Sequence, residues 1–389
     1  MNVDVEIAII GGGVVGCSVA WVLSETFDNV LLFERNPGIG KGENQSSRNS
    51  GVVHAGIYYD RETRPLKARL CVEGNRLLYD FCRQYDVPAV RTGKLVVACT
   101  REEEGILDFY RGRARENGVE GCRSISASEI RTLEPNVRGI SALLVPSSGI
   151  VEPTALVRKL AALAENRGVR FMAGTRVTDI VPESGAFRLA IEYRDGRTDC
   201  FTTRRLVNAA GVDADALARM VDPAFRVTLD PVRGEWALFY RNRRPGLFMN
   251  GMNVYPVPTR VDTPHGAHFT VGVHLTPTFD ATTGSHCIGD TVIVGPWLGP
   301  VSDPRDFSGN LKPPDFFHSF AHTFFPELLK TDLNLHQTGI QARLRGRPDF
   351  LLHRDTRMPG AVHLLGIDSP GLTACLALAR EVNRLLDPR

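Results

Sequence analysis

Apolar residues along this chain change their period several times, and each change marks an element. Val5 to Ile10 is a nearly unbroken apolar run, the pattern of a parallel strand buried on both faces. Gly11-Gly12-Gly13 ends it, and the apolar positions that follow repeat at helical spacing. The uncharged stretch Ile7 to Ser24 approaches the length of a membrane span, but Asp4 and Glu6 stand where a signal peptide carries basic residues, and the glycine run would break a spanning helix. Strand, turn and helix is the better reading. A second apolar run, Val30 to Phe33, ends in Glu34, and a polar loop follows over Asn36 to Ser50.

Further along, Leu66, Leu70, Leu77, Leu78, Phe81 and Tyr85 recur at helical spacing until Pro88, which predicts one amphipathic helix. Leu95 to Cys99 reads as a strand and Arg101 opens a charged helix; Ser128 to Leu133 ends at a break at Glu134-Pro135. Pro153 suits the first turn of a helix reaching Asn166, and short strand-like runs continue to Val207. Asn208-Ala-Ala-Gly211 is a tight turn. From Val221 to about Leu335 the chain is richer in proline, aromatic and alternating segments, as expected of a substrate domain. The last helix places Leu372, Leu376, Ala379, Val382 and Leu386 on one face and starts at Ser369-Pro370-Gly371, leaving its amide end able to face an anionic group.

At 389 residues the chain is long enough for two domains. A formal charge of +2 and scattered arginines leave no field to hold nucleic acid. The eight cysteines contain no C-x-x-C pair, so neither a metal site nor a disulfide framework is expected, and a reducing cytoplasm suits them. Peripheral attachment to the inner membrane face stays open, without an identified amphipathic surface.

The strongest motif is Gly11-x-Gly13-x-x-Gly16, set between a buried strand and a helix. Gly11 permits the tight turn, Gly13 lets backbone approach a pyrophosphate, and Gly16 lets the helix pack close to the strand. Glu34, at the end of the next strand, can accept hydrogen bonds from adenosine ribose hydroxyls, and its charge would repel a 2′-phosphate. A glycine pattern alone is also what a flexible loop has; the strand, helix and acidic residue around this one make it a dinucleotide site. The fingerprint has no second copy, so one bound dinucleotide is the simpler inference.

Other segments carry a family resemblance over essentially the whole chain. They are Ser46-Ser-Arg-Asn-Ser-Gly-Val-Val-His-Ala-Gly-Ile-Tyr-Tyr59, Leu66-Lys-Ala-Arg-Leu-Cys71, Gly93-Lys-Leu-Val-Val-Ala98, Arg233-Gly-Glu235, Tyr255-Pro-Val-Pro258, Gly272-Val-His-Leu-Thr276 and Gly366-Ile-Asp-Ser-Pro-Gly-Leu-Thr373. With the fingerprint, they make the chain resemble the D-amino-acid-oxidase-like FAD oxidoreductases, and within them the L-2-hydroxyglutarate dehydrogenase/oxidase group. The resemblance implies an α/β fold: a Rossmann-like FAD-binding domain of the glutathione-reductase/D-amino-acid-oxidase type, assembled from residues 1–86, 144–220 and 338–389, with an α+β mixed-sheet substrate domain from 87–143 and 221–337. It implies FAD, not NAD, held by Gly11, Gly13, Val14, Val15, Gly16, Glu34 and Arg35, by Ser46, Ser47, Arg48, Asn49 and Ser50, by Val177, Ala210, Gly211 and Gly339, and by Gly366, Asp368, Ser369, Pro370, Gly371, Leu372 and Thr373. It also implies oxidation of an L-2-hydroxy acid to a 2-oxo acid, with hydride passing from C2 to flavin N5, and with quinone or oxygen as final acceptor. An amino-acid or secondary-amine oxidase on the same fold, and a dinucleotide-binding protein without turnover, are the rival readings.

The candidate base is His54 or His274. His54 lies in a glycine-flanked loop and His274 in an alternating stretch where a satisfied sheet histidine is the ordinary alternative. Tyr58, Tyr59 and Tyr255 are candidate substrate or flavin contacts, with core packing as the alternative. Lys67, near a helix start, is by default a solvated charge that the family pattern brings toward the site. The chain departs from its relatives at Gly339-Ile340-Gln341, where that group typically shows Gly-Ile-Arg. Glutamine supplies no charge, and Arg343, on the same strand face, is the candidate to take over the carboxylate grip about one pleat away, roughly 6 to 7 Å. An exposed arginine among Arg345 and Arg347 is the plain alternative.

Overall fold

A computed structural model describes residues 3–41, 44–263, 266–280 and 286–386, so two positions of the expected polar loop, 42–43, lie outside the described residues. The chain divides into two compact units: Met1–Arg48, Pro153–Pro231 and Gln341–Arg389 form the first, and Asn49–Glu152 and Val232–Ile340 the second. Among the described residues no helix is long and apolar enough to cross a membrane.

The first unit is built on a sheet whose central strand, Val5–Ile10, pairs in parallel with Val30–Glu34 on one side and Thr198–Asn208 on the other. Val5–Ile10 and Val30–Glu34 are largely apolar on both faces because the sheet is covered on both there, and Val5, Ile7, Ile9, Val30 and Leu32 are fully buried. The strand Thr198–Asn208 is long enough to serve two partners along one edge. Its first half pairs antiparallel with Ala186–Tyr193 and its end runs parallel to Ala361–Leu365. The helix Val14–Leu23 packs against the last helix, Gly371–Leu386, and against Pro153–Glu165. The last helix is buried almost all round from Thr373 to Ala379, and the one-sided pattern expected of it holds only for its second half.

The second unit contains a sheet in which Lys94–Ala98 lies between Ser141–Val145 and Asn253–Pro256, with His274–Phe279 beyond. Alternation along these strands sorts the side chains. Leu95, Val97, Val254 and Leu275 join Phe317, Phe324, Phe325 and Leu328 on one face, while Val96, Ala98, Tyr255 and Val145 join Ala55, Ile57 and Tyr110 on the other.

The expected domain limits need correction in four places. Residues 49–86 and 144–152 belong to the second unit, because Val52–Val53 pairs with Gly149–Val151, and Asn75 of the helix Pro65–Tyr85 donates to the carbonyls of His54 and Ser147. Residues 221–231 belong to the first, where Phe225 and Leu229 pack with Ala214, Ala342, Leu344 and Leu365. Residues 338–340, Gly339 among them, group with the second, where the Thr338 hydroxyl donates to the Phe307 carbonyl at 2.7 Å.

Candidate active site and cofactor-binding elements

In the first unit the three fingerprint glycines each meet a different constraint. Gly11 has φ +110°, and a Cβ there would run into the Ala209 carbonyl; a Cβ on Gly16 would run into the backbone of Gly11. Around Gly13 the only heavy atom that a Cβ would approach within 4 Å, among the described residues, is Ser46 Oγ, at 3.0 Å, so among them this side of the turn is otherwise open. Gly13 caps the helix Val14–Leu23 without a side-chain hydrogen bond, and no acidic residue occupies its first turn. A helix end with no acidic residue in its first turn and open space beside it fits a pyrophosphate, whose charge the helix dipole would meet. Ser46 is part of the same cradle, since its hydroxyl accepts from Val14 N at 2.8 Å.

Glu34 is buried at the mouth of this turn. Its Oε2 accepts from Gly12 N at 2.6 Å and its Oε1 from Asn36 N at 2.8 Å. Each carboxylate oxygen keeps a lone pair, so the side chain is fixed in place and can still accept from ribose hydroxyls. Gly12 is a constraint the motif did not reveal, because a side chain there would collide with Glu34 and Ile39. Arg35 pairs with Asp213 at 2.6 Å, in the turn that follows Ala210 and Gly211. Val15 lies in the first turn of the helix, and Val177 is buried in the strand Thr175–Glu183. Asn44 Oδ1 accepts from Ser47 N, and Gln45 O from Arg48 N.

The segment before the last helix is a second turn of the same unit. Gly366 has φ +67°, Gly371 N donates to the Asp368 carbonyl at 2.6 Å, and Ser369, Pro370, Leu372 and Thr373 follow the chain into the helix. Gln341 and Arg343 share one face of the strand Asn334–Leu344 as expected. Arg343 Nε donates to Gln341 Oε1 at 3.0 Å and stands 3.6 Å from Asp368, so its charge already has a carboxylate partner. Arg345 is more exposed and pairs with Asp230 at 2.7 Å.

The second unit brings His54, Tyr58, Tyr255 and His274 together with a residue the sequence had not singled out, Lys94. The strand Val52–Val53 delivers His54, whose carbonyl is held by Asn75 Nδ2 at 2.9 Å. Lys94 pairs across the sheet with Asn253, and Tyr255 and His274 emerge on its face. The Tyr255 and His274 rings stack with centroids 3.7 Å apart. Lys94 Nζ sits 3.8 Å from the centroid of Tyr255 and 5.4 Å from that of Tyr58.

Burial sets the charge state of this cluster. Desolvation holds the His274 imidazole down to about 3 and, with the charges of Lys94 and His274, holds His54 well below the usual histidine range. Both rings are therefore neutral near pH 7. The Gly272 carbonyl lies 3.0 Å from His274 Nδ1 and can only accept, so Nδ1 carries the proton and Nε2 presents the lone pair. Burial raises the Tyr58 and Tyr255 phenols, which stay protonated.

Other expected residues are placed as follows. Tyr59 is buried against Ala68 and Cys71, as core packing requires. Lys67 is buried, not solvated as its position near a helix start suggested. The Arg233-Gly-Glu235 motif forms a buried ion pair at 3.0 Å, with Arg233 also reaching Asp306 and Glu235 accepting from Lys312 N. Asn49 and Ser50 fall in the second unit, where Asn49 Oδ1 accepts from Gly51 N at 2.8 Å.

A fingerprint of this geometry, followed by a buried catalytic-type cluster, is the equipment of a flavoenzyme, and the chain belongs to the FAD dependent oxidoreductase family, whose model matches residues 6–385. FAD is its cofactor. It is 31% identical to the mitochondrial L-2-hydroxyglutarate dehydrogenase of Arabidopsis thaliana, over 97% of this chain and 82% of that protein. The FAD-bound L-alpha-glycerophosphate oxidase of Mycoplasma pneumoniae superposes with a TM-score of 0.84 at 26% identity, covering 98% of this chain and 94% of that one. Glycine oxidase from Geobacillus kaustophilus shares the fold, with a TM-score of 0.80 at 21% identity, over 100% and 96% of the two chains.

Proposed function

We propose that this protein oxidises a small L-2-hydroxy acid to the 2-oxo acid, with L-2-hydroxyglutarate as the substrate, and that His54 or His274 takes the hydroxyl proton. The observation that carries the reading is the pair of neutral histidines in the second unit, His274 buried and His54 half-buried. An alcohol must lose its O–H proton as hydride leaves C2, so it needs a base; an amine that arrives neutral does not. Similarity to L-2-hydroxyglutarate dehydrogenases over nearly the whole chain favours the same class. Bound FAD supplies the hydride acceptor. The residues proposed to hold it are the fingerprint glycines with Val14, Val15, Glu34 and Arg35, the cradle Ser46 to Ser50, Val177, Ala210, Gly211, Gly339, and, before and into the last helix, Gly366 and Asp368 to Thr373. In this reading the chain positions the acid, keeps its base unprotonated and excludes water through the aromatic rings around Lys94.

The test is anaerobic titration of the flavoprotein with L-2-hydroxyglutarate, L-lactate, glycerol 3-phosphate, glycine and L-proline, following loss of the oxidised-flavin absorbance. Bleaching by L-2-hydroxyglutarate at low concentration is expected. Bleaching by an amine alone contradicts the reading.

A further inference from the structure

We propose that Lys94 is the residue that receives the substrate carboxylate, and that it takes up a proton from solvent as the acid binds. The proposal rests on the reading that the substrate is a carboxylic acid. Lys94 is 1% exposed in the middle of a sheet, yet among the described residues no carboxylate pairs with it. The buried Arg233, by contrast, has both Glu235 and Asp306, and even the partly exposed Arg244 and Arg343 have Asp332 and Asp368. Aromatic faces offset only part of the cost of burying a cation, so the rings of Tyr255 and Tyr58 leave the ammonium undercompensated. Burial accordingly holds Lys94 down to about 7, where it is protonated only in part.

The groups facing it add no negative charge. His54 and Tyr58 come from the segment after Val52–Val53, Cys71 from the helix Pro65–Tyr85, Tyr255 and His274 from the adjoining strands. Both imidazoles are neutral, and burial pushes the Cys71 thiol and both phenols up, so they remain protonated. Lys94 is thus the member of the cluster that titrates near neutral pH, and an entering carboxylate supplies the anion it lacks. Its pKa rises in the complex. Affinity for the acid is then full below about pH 7 and falls about tenfold per unit as pH rises above it, until the pKa of the complex is passed.

The experiment is calorimetric titration of the flavin-loaded protein with acetate, succinate and glutarate, which bear no oxidisable hydroxyl, at about pH 8 in buffers of different ionisation enthalpy. Uptake approaching one proton per bound acid is expected in the native protein. Lys94→Met should retain flavin, lose the uptake and weaken binding on the order of 10²-fold. Absence of binding by all three acids, binding without proton uptake, or uptake unchanged in Lys94→Met overturns the assignment. A variant that binds these acids normally and is slowed only in flavin reduction also overturns it, making Lys94 a base. If glutarate binds with proton uptake but L-2-hydroxyglutarate does not bleach the flavin, Lys94 stands and the hydroxy-acid reading falls.

Discussion

In the first unit the chemistry at the fingerprint is done by backbone, and in the second the cluster works through side chains. At the glycine turn, amides, a helix end and the absence of Cβ atoms make the site, and the Glu34 carboxyl is fixed by two backbone N–H donors. Around Lys94 the same low polarity serves the opposite purpose, stripping charge from two histidines and from a lysine that no carboxylate pairs with among the described residues. Fixed dipoles suit a permanent cofactor. Groups whose charge depends on the occupant suit a substrate that comes and goes.

The comparison breaks most completely if Gly13→Val keeps its flavin. Filling the open side of the turn should abolish FAD retention while leaving the circular dichroism of a folded chain, as read from flavin absorbance per chain after gel filtration. In the second unit, His54→Ala or His274→Ala should retain flavin but slow its reduction by about 10² to 10⁴, whichever ring is the base. Normal reduction rates in both variants would remove histidine from the mechanism.

Buried neutral histidines also make stability depend on acid. His274 and His363 are held to about 3 and about 4 by burial, below the ordinary 6.5. The unfolded chain therefore binds more protons once pH drops below 6.5, and stability falls from there downward. Each should cost about 2 kcal/mol by about pH 5, which denaturant titrations can measure. Stability that stays level over this range would mean that the two rings are less desolvated than their burial implies. The smallest effects belong to the arginines of the first unit. Arg343→Ala should raise the half-saturating concentration of an acidic substrate by up to about tenfold, since Asp368 already balances its charge, and Arg345→Ala should change it hardly at all. Equal, small effects from both would remove Arg343 from substrate binding.

The first unit's elements were largely legible in the sequence because period and punctuation coincide there. The run Val5–Ile10, the glycines and the acidic end of Val30–Glu34 each carry one local meaning. Its limits were not, because Phe225 and Leu229 look like any alternating segment and reveal their partners only in three dimensions. Lys94 was passed over for a related reason. A lysine opening the apolar run Leu95 to Ala98 reads as a strand end, and nothing local tells that Tyr255 and His274, far along the chain, will close over it. Gly12 was hidden because its constraint is the position of Glu34, and Lys67 because burial of one helix face depends on what covers it.

The central claim, hydride removal from C2 of an L-2-hydroxy acid, is tested most directly by stopped-flow anaerobic reduction of the bound flavin with L-2-hydroxyglutarate carrying either protium or deuterium at C2. The account predicts complete bleaching, formation of 2-oxoglutarate, and a rate several-fold slower with deuterium. A flavin that stays oxidised with this acid, or is reduced at the same rate by both isotopologues while the chemical step limits bleaching, would contradict it.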